Sequence, residues 1–231
     1  MSRVYLGFIE YSRLKLTSIN SHFLDSDEFA RWNAMGDDNT RRGFLAGRIL
    51  ARNLISTLTG KNPETVNFRI ESNGKPRHIG SPELYFSISH SRNLAICAVS
   101  ALPVGTDIQF REVSRDRQAI ANSYFHSEEL TYLMNEDTKF DAELFYDFWV
   151  AKEAILKLKG FGVWDIEELQ PLHPVGKDKP HCAVIHRIRP DYVLAVSSNP
   201  GEKQTDIEIN KNYPLPDKWK MEAPRLFTTF K

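Results

Sequence analysis

Phe148-Trp149-Val150-Ala151-Lys152-Glu153-Ala154-Ile155-Leu156-Lys157 is the stretch from which the rest of the chain is read. It is made of good helix formers, apolar residues recur at three- or four-residue spacing through Phe145, Val150, Ala154 and Leu158, and Gly160 follows as a stop signal. The spacing predicts a helix with Trp149, Glu153 and Lys157 on one face. A carboxylate and an ammonium one turn apart can divide a task, the acid holding a metal or taking a proton and the base holding a phosphate. The same pair is also a common stabilising device on a solvated helix, worth roughly 0.2–0.5 kcal/mol, so its meaning depends on its company.

Working outward, Pro103-Val104-Gly105-Thr106-Asp107-Ile108-Gln109-Phe110 reads as a β-prone run. In a strand Asp107 and Gln109 face the same way, so a carboxylate and an amide carbonyl can address one cation. Before it, Leu84-Tyr85-Phe86-Ser87-Ile88-Ser89-His90-Ser91 and Leu94-Ala95-Ile96-Cys97-Ala98-Val99 form a hairpin around a short polar link. Ser89 and His90 lie near its tip, where they either satisfy the turn or meet a phosphate. Further upstream, residues 40–55 have helical periodicity ending at Gly60, with Arg41 and Arg42 in the first turn. There they oppose the helix dipole, which a bound anion or a solvated basic face would explain equally well. Val4-Tyr5-Leu6-Gly7-Phe8-Ile9 predicts a first strand and residues 66–70 another, with Lys75 in the turn that follows.

Beyond the central helix, a turn at residues 177–180 precedes strands over 182–188 and 192–197. The order helix, Gly stop, strand pair then occurs twice, about a hundred residues apart. The expectation is an α+β fold of two similar α/β halves related by pseudo-two-fold symmetry, 1–102 and 103–231, with a ligand cleft between them. The proline-bearing tail, with Pro200, Pro214, Pro216 and Pro224, reads as an extended wrap. With 231 residues, 41% of them hydrophobic, the chain can bury a sizeable core. Thirty basic residues balance thirty acidic ones, so no global field recruits nucleic acid or membrane, and an anion must be held by a local cluster. Cys97 and Cys182 sit in apolar runs and read as buried small hydrophobes. No apolar span of 18 residues and no leader-like segment occurs, which predicts a cytoplasmic protein. Gly-x-x-x-x-Gly-Lys-Ser/Thr and Gly-x-Ser-x-Gly are both missing, which removes the common nucleotide-hydrolase and esterase readings.

Gly74-Lys75-Pro76, then Phe86-Ser87-Ile88-Ser89-His90-Ser91, then Val104-Gly105-Thr106-Asp107-Ile108-Gln109, then Trp149 to Lys157, taken in that order, closely resemble the Sfp-type 4'-phosphopantetheinyl transferases. Arg41 to Leu50, with its Leu-Ala-Gly-Arg, and Tyr124-Phe125-His126-Ser127-Glu128-Glu129 are similar to two further segments of that family. The resemblance implies transfer of the phosphopantetheine arm of coenzyme A to a serine of an acyl or peptidyl carrier protein, by a monomer. It implies that Asp107 and Glu153, with Gln109, hold Mg2+, that Glu153 also takes the serine proton, and that Lys157 binds the pyrophosphate. Lys75 and His90 would grip the 3'-phosphate, Ser89 would contact the nucleotide, and Arg41 or Arg42 would complete the anion pocket. Gln109 stands where the family usually has a second acid, so the metal site has one negative charge fewer. That departure supports an alternative reading as a catalytically silent coenzyme A or carrier-protein binding module. The arginines at 111, 115 and 117 mark the stretch where relatives dock an often acidic carrier helix.

Overall fold

Two long helices end where the sequence predicts, at Gly60 and Gly160. Both take the left-handed backbone, φ +69° and +78°, that favours a residue without Cβ. The computed structural model describes residues 2–12, 14–16, 23–112, 116–134, 139–176, 182–189, 191–198, 205–214, 217 and 220–229. The expected turn at 177–180, Arg115, Pro200 and Pro216 lie outside the described residues. In chain order the elements are β1 (Ser2–Glu10), α1 (Ser26–Asn33), α2 (Asp38–Thr59), β2 (Asn67–Ile70), β3 (Pro76–Ile79), β4 (Tyr85–Ser91), β5 (Leu94–Ser100) and β6 (Gly105–Phe110). There follow α3 (Arg117–Tyr124), α4 (Ser127–Leu133), α5 (Ala142–Lys159), β7 (Leu172–Val175), β8 (Ala183–Arg189), β9 (Tyr192–Ser197), β10 (Thr205–Ile209), β11 (Lys220–Met221) and β12 (Arg225–Thr229).

One sheet has the strand order β10-β1-β5-β4 and the other β6-β9-β8-β12-β7, with β11 paired to β8. β2 and β3 form a separate ribbon. β5 and β9 are buried along their whole length, and the two-residue period of a strand divides their side chains between two cores. Ala95, Cys97 and Val99 pack with Leu50 and Leu54 of α2, while Val193 and Ala195 pack with Val150 and Ala154 of α5. The alternate residues Leu94, Ile96 and Ala98 meet Leu194 and Val196 in a third cluster between the sheets. The result is a layered arrangement, α2 on one sheet, that sheet on the other, and the other on α5.

The hairpin of β4 and β5 has the expected register, and its two-residue turn places Arg92 at φ +53°. Arg92 is held there by Glu112 at 2.8 Å and by the face of Phe110. The tail departs from the expected wrap. β10 pairs parallel to β1, and β12 lies between β8 and β7, so segments with prolines on either side still complete both sheets through backbone pairing. Both cysteines are buried and unpaired. Among the described residues no helix is long and apolar enough to cross a membrane.

Candidate active site

β6 and α5 touch backbone to backbone. A Cβ placed on Gly105 would lie 1.9 Å from the carbonyl oxygen of Ala154, so only glycine permits the approach that brings Asp107 beside the last turns of α5. Lys157 Nζ donates to Asp107 Oδ1 at 2.7 Å, with the Asp107 side chain 8% exposed. Asp107, Gln109, Trp149, Glu153 and Lys157 all line one cavity of about 290 Å3, together with Ser89 and His90 from β4. The sequence-predicted acids and lysine are therefore in one place although they derive from a strand and a helix some forty residues apart. The Gln109 amide nitrogen donates to the Phe110 carbonyl at 3.3 Å.

A second cavity, of about 310 Å3, adjoins the first through Ile88, His90 and Lys157, which line both. Its walls are Arg31, Phe44 and Arg48 on one side and Asn73, Gly74, Lys75 and Phe161 on another. Lys75 Nζ donates to the carbonyls of Lys157 and Leu158, the open end of α5, joining the turn before β3 to the helix. Burial lowers its pKa. His90 meets Tyr11 edge-on at 6.1 Å and lies close to Gly43. Crowding by the surrounding protein and then the Lys157 charge hold its imidazole below the usual range, although the residue keeps an exposed edge.

Arg48 went unassigned in the sequence reading. It is 5% exposed and shares Glu28 with Arg52, at 2.9 and 2.7 Å. Glu28, with Asp25 3.9 Å from Arg52, offsets the two buried guanidiniums, and Arg48 lines the larger cavity together with Arg31. The signal was present: Arg48 follows Phe44 by one helical turn, so both fall on one face. Arg41 and Arg42 line neither cavity. Arg41 donates to the carbonyls of Asn33 at 2.9 Å and Met35 at 3.1 Å, neutralising the C-terminal end of α1. Arg42 donates to the Leu14 carbonyl and pairs with Asp38. This local capping role explains cations in the first turn of α2 without an anion.

α5 is fixed by two buried ion clusters on faces turned away from the cavity. Lys152, wholly buried, donates to both oxygens of the equally buried Glu129 at 2.9 and 2.7 Å. Asp147 accepts a forked pair from Arg187, both at 3.0 Å, and a third bond from Arg225. In the charged stretch after β6, Arg111 pairs with Glu143 and Arg117 donates to the Glu112 carbonyl, so both cations have partners inside the chain.

Among the described residues no three His, Cys, Asp or Glu side chains gather as a metal cage. Two carboxylates and an amide oxygen on one cavity instead suit a hard cation that keeps waters and shares its shell with phosphate oxygens. Both bonds to Asp107 fall on Oδ1, which leaves Oδ2 as the oxygen to meet such a cation.

A profile of the 4'-phosphopantetheinyl transferase superfamily matches residues 103–203. The chain is 34% identical over 151 residues to the 4'-phosphopantetheinyl transferase HetI of a Nostoc species, covering 64% of each chain. It is 34% identical over 122 residues to the 4'-phosphopantetheinyl transferase psf-1 of Bacillus pumilus, covering 53% of this chain and 52% of that one. To the 4'-phosphopantetheinyl transferase Sfp of Bacillus subtilis it is 28% identical over 174 residues, covering 74% and 75%. The match spans less than two thirds of the length of the first two relatives.

Proposed function

We propose that the chain is a 4'-phosphopantetheinyl transferase, which moves the 4'-phosphopantetheine arm of coenzyme A to a serine of an acyl or peptidyl carrier protein; the superfamily profile over residues 103–203 and the likeness to HetI support this reading. The observation that carries this reading is the double cavity, cationic at one end and carboxylate-lined at the other, with Lys157 common to both. The cationic end, with Arg31, Arg48, Lys75 and His90, suits the adenosine phosphates, and Lys157 suits the pyrophosphate at the junction. The carrier serine oxygen bonds to the phosphorus that bears the pantetheine arm, the bridging bond of the pyrophosphate breaks, and adenosine 3',5'-bisphosphate leaves with the electron pair. Glu153 accepts the serine proton, directly or through a water. Asp107 and Glu153, with the Gln109 carbonyl, would hold Mg2+, which when bound neutralises charge on the pyrophosphate.

The two halves would be related by a pseudo-two-fold axis running between α2 and α5, and the protein would act as a monomer. Its unpaired thiols accord with a reducing, cytoplasmic setting. Gln109 favours the competing reading, a binding module without activity. Incubation of an apo carrier protein with the chain, coenzyme A and Mg2+ separates the two. A gain of one phosphopantetheine mass on the carrier is the expected result, and coenzyme A binding without that gain supports the silent module.

A further inference from the structure

The edges of the two sheets meet at β4 and β6, and side chains there take the place of a strand ladder. The N–H groups of Thr106, Ile108 and Phe110 donate to Ser87, Ser89 and Ser91 Oγ at 3.0, 3.3 and 2.9 Å. Three serines at two-residue spacing point one way from β4, and alternate N–H groups of β6 point toward them. The middle rung differs from its neighbours. Ser89 Oγ also donates to Asp107 Oδ1 at 2.7 Å and accepts from Lys157 Nζ at 3.0 Å.

A hydroxyl has one proton to give and two lone pairs to share. The proton of Ser89 goes to Asp107, and its lone pairs meet Ile108 N–H and the Lys157 ammonium. Its capacity is full, and the residue is only 6% exposed, so the hydroxyl has nothing left for a nucleotide. We infer that Ser89 is a positioning residue, which sets the carboxylate of Asp107 and the ammonium of Lys157 against each other across the seam of the two halves. It acts on transfer through them rather than on coenzyme A. The inference rests on the proposed transferase reading for its effect on rate, and on geometry alone for its effect on Lys157.

The test compares Ser89→Ala with Ser89→Thr and with Ser91→Ala, which removes a neighbouring rung whose hydroxyl accepts from Phe110 N–H and, among the described residues, bonds neither Asp107 nor Lys157. Ser89→Ala is expected to lower kcat by about 10–100-fold, the range in which small misplacements of reacting groups act, with the KM for coenzyme A within about twofold. Ser89→Thr keeps a hydroxyl on a residue suited to strands and restores most of the rate. Ser91→Ala lowers Tm as Ser89→Ala does but leaves kcat unchanged within about twofold. A second readout needs no activity: labelling of Lys157 by acetic anhydride, measured by mass spectrometry against Lys159 as internal reference, rises several-fold in Ser89→Ala. Calorimetric binding of adenosine 3'-monophosphate, which lacks the 5'-phosphate that Lys157 would meet, is unaltered. Weaker nucleotide binding by Ser89→Ala, an unchanged Lys157 labelling ratio, or equal kcat losses in Ser89→Ala and Ser91→Ala would each overturn the inference. A wild-type chain that transfers nothing would defeat the proposed activity, while the labelling ratio would still decide the role of Ser89.

Discussion

Replacing Lys152 by Met removes one partner of an ion pair in which both side chains are 0% exposed. Glu129 would keep its backbone bonds from Leu172 N–H to Oε1 and from His126 N–H to Oε2, both at 2.9 Å, but would lose both bonds from the ammonium. An uncompensated buried charge of this kind costs about 3–5 kcal/mol, a large part of the roughly 5–15 kcal/mol that stabilises a domain. For a chain of this size the expected fall in Tm is about 6–20 °C, at about 2–4 °C per kcal/mol. Adding Glu129→Gln removes the charge while retaining one of the two oxygens, so one backbone N–H loses its acceptor and part of the loss persists. The double variant should therefore be more stable than the sum of the single losses by about 1–3 kcal/mol. Urea unfolding followed by circular dichroism at constant m-value measures all four corners of the cycle. Losses that add to within about 0.5 kcal/mol would show that the two charges do not depend on each other, and the anchoring assigned to them would be refuted.

Other outcomes follow from the site. Gly105→Ala drives a methyl group into the Ala154 carbonyl, so it should lower stability by about 1–3 kcal/mol and transfer by about 10²-fold, read from Tm and kcat on one preparation. Glu153→Gln should abolish transfer, since a neutral amide cannot take the serine proton, whereas Gln109→Glu should lower the Mg2+ concentration for half-maximal rate, both read by carrier mass. His90→Ala should raise the KM for coenzyme A more than that for its 3'-dephospho form. Because the His90 pKa lies below the ordinary value of about 6.5, the wild-type preference for the 3'-phosphate should be flat above that pH and grow as pH falls beneath it. In the same window the unfolded chain holds a proton that folded His90 lacks, so stability is lost as pH drops below about 6.5 and regained as it rises, which pH-dependent Tm in the absence of ligand measures.

Local signals carried much of the reading. Gly60 and Gly160 end helices for a backbone reason that any sequence displays, and the apolar runs of β5 and β9 read as strands, which the structure then covers on both faces. Asp107, Glu153 and Lys157 were legible because a strand period and a helix period each aim one residue in a definite direction. What stayed hidden depends on contacts between distant residues. Arg41 looked like an anion ligand because the sequence does not show that the end of α1 lies against it, and Arg48 went unassigned because its partner Glu28 comes from that same distant helix. The short strands β10 to β12 escaped because runs of two to five residues near prolines have no periodicity to read; their partners define them.

The parallel pairing of β10 with β1 joins residues about 200 positions apart, Val4 opposite Ile207. A chain made from its amino terminus on a ribosome, at about 5–20 residues per second, can form the β1-β5-β4 part of the first sheet early, but β1 keeps one open edge until β10 has emerged. For several seconds that edge is a template for any other nascent strand. Synthesis that stops before residue 205 would leave it so permanently, and such a fragment should collect in inclusion bodies even though every residue lining the two cavities is present.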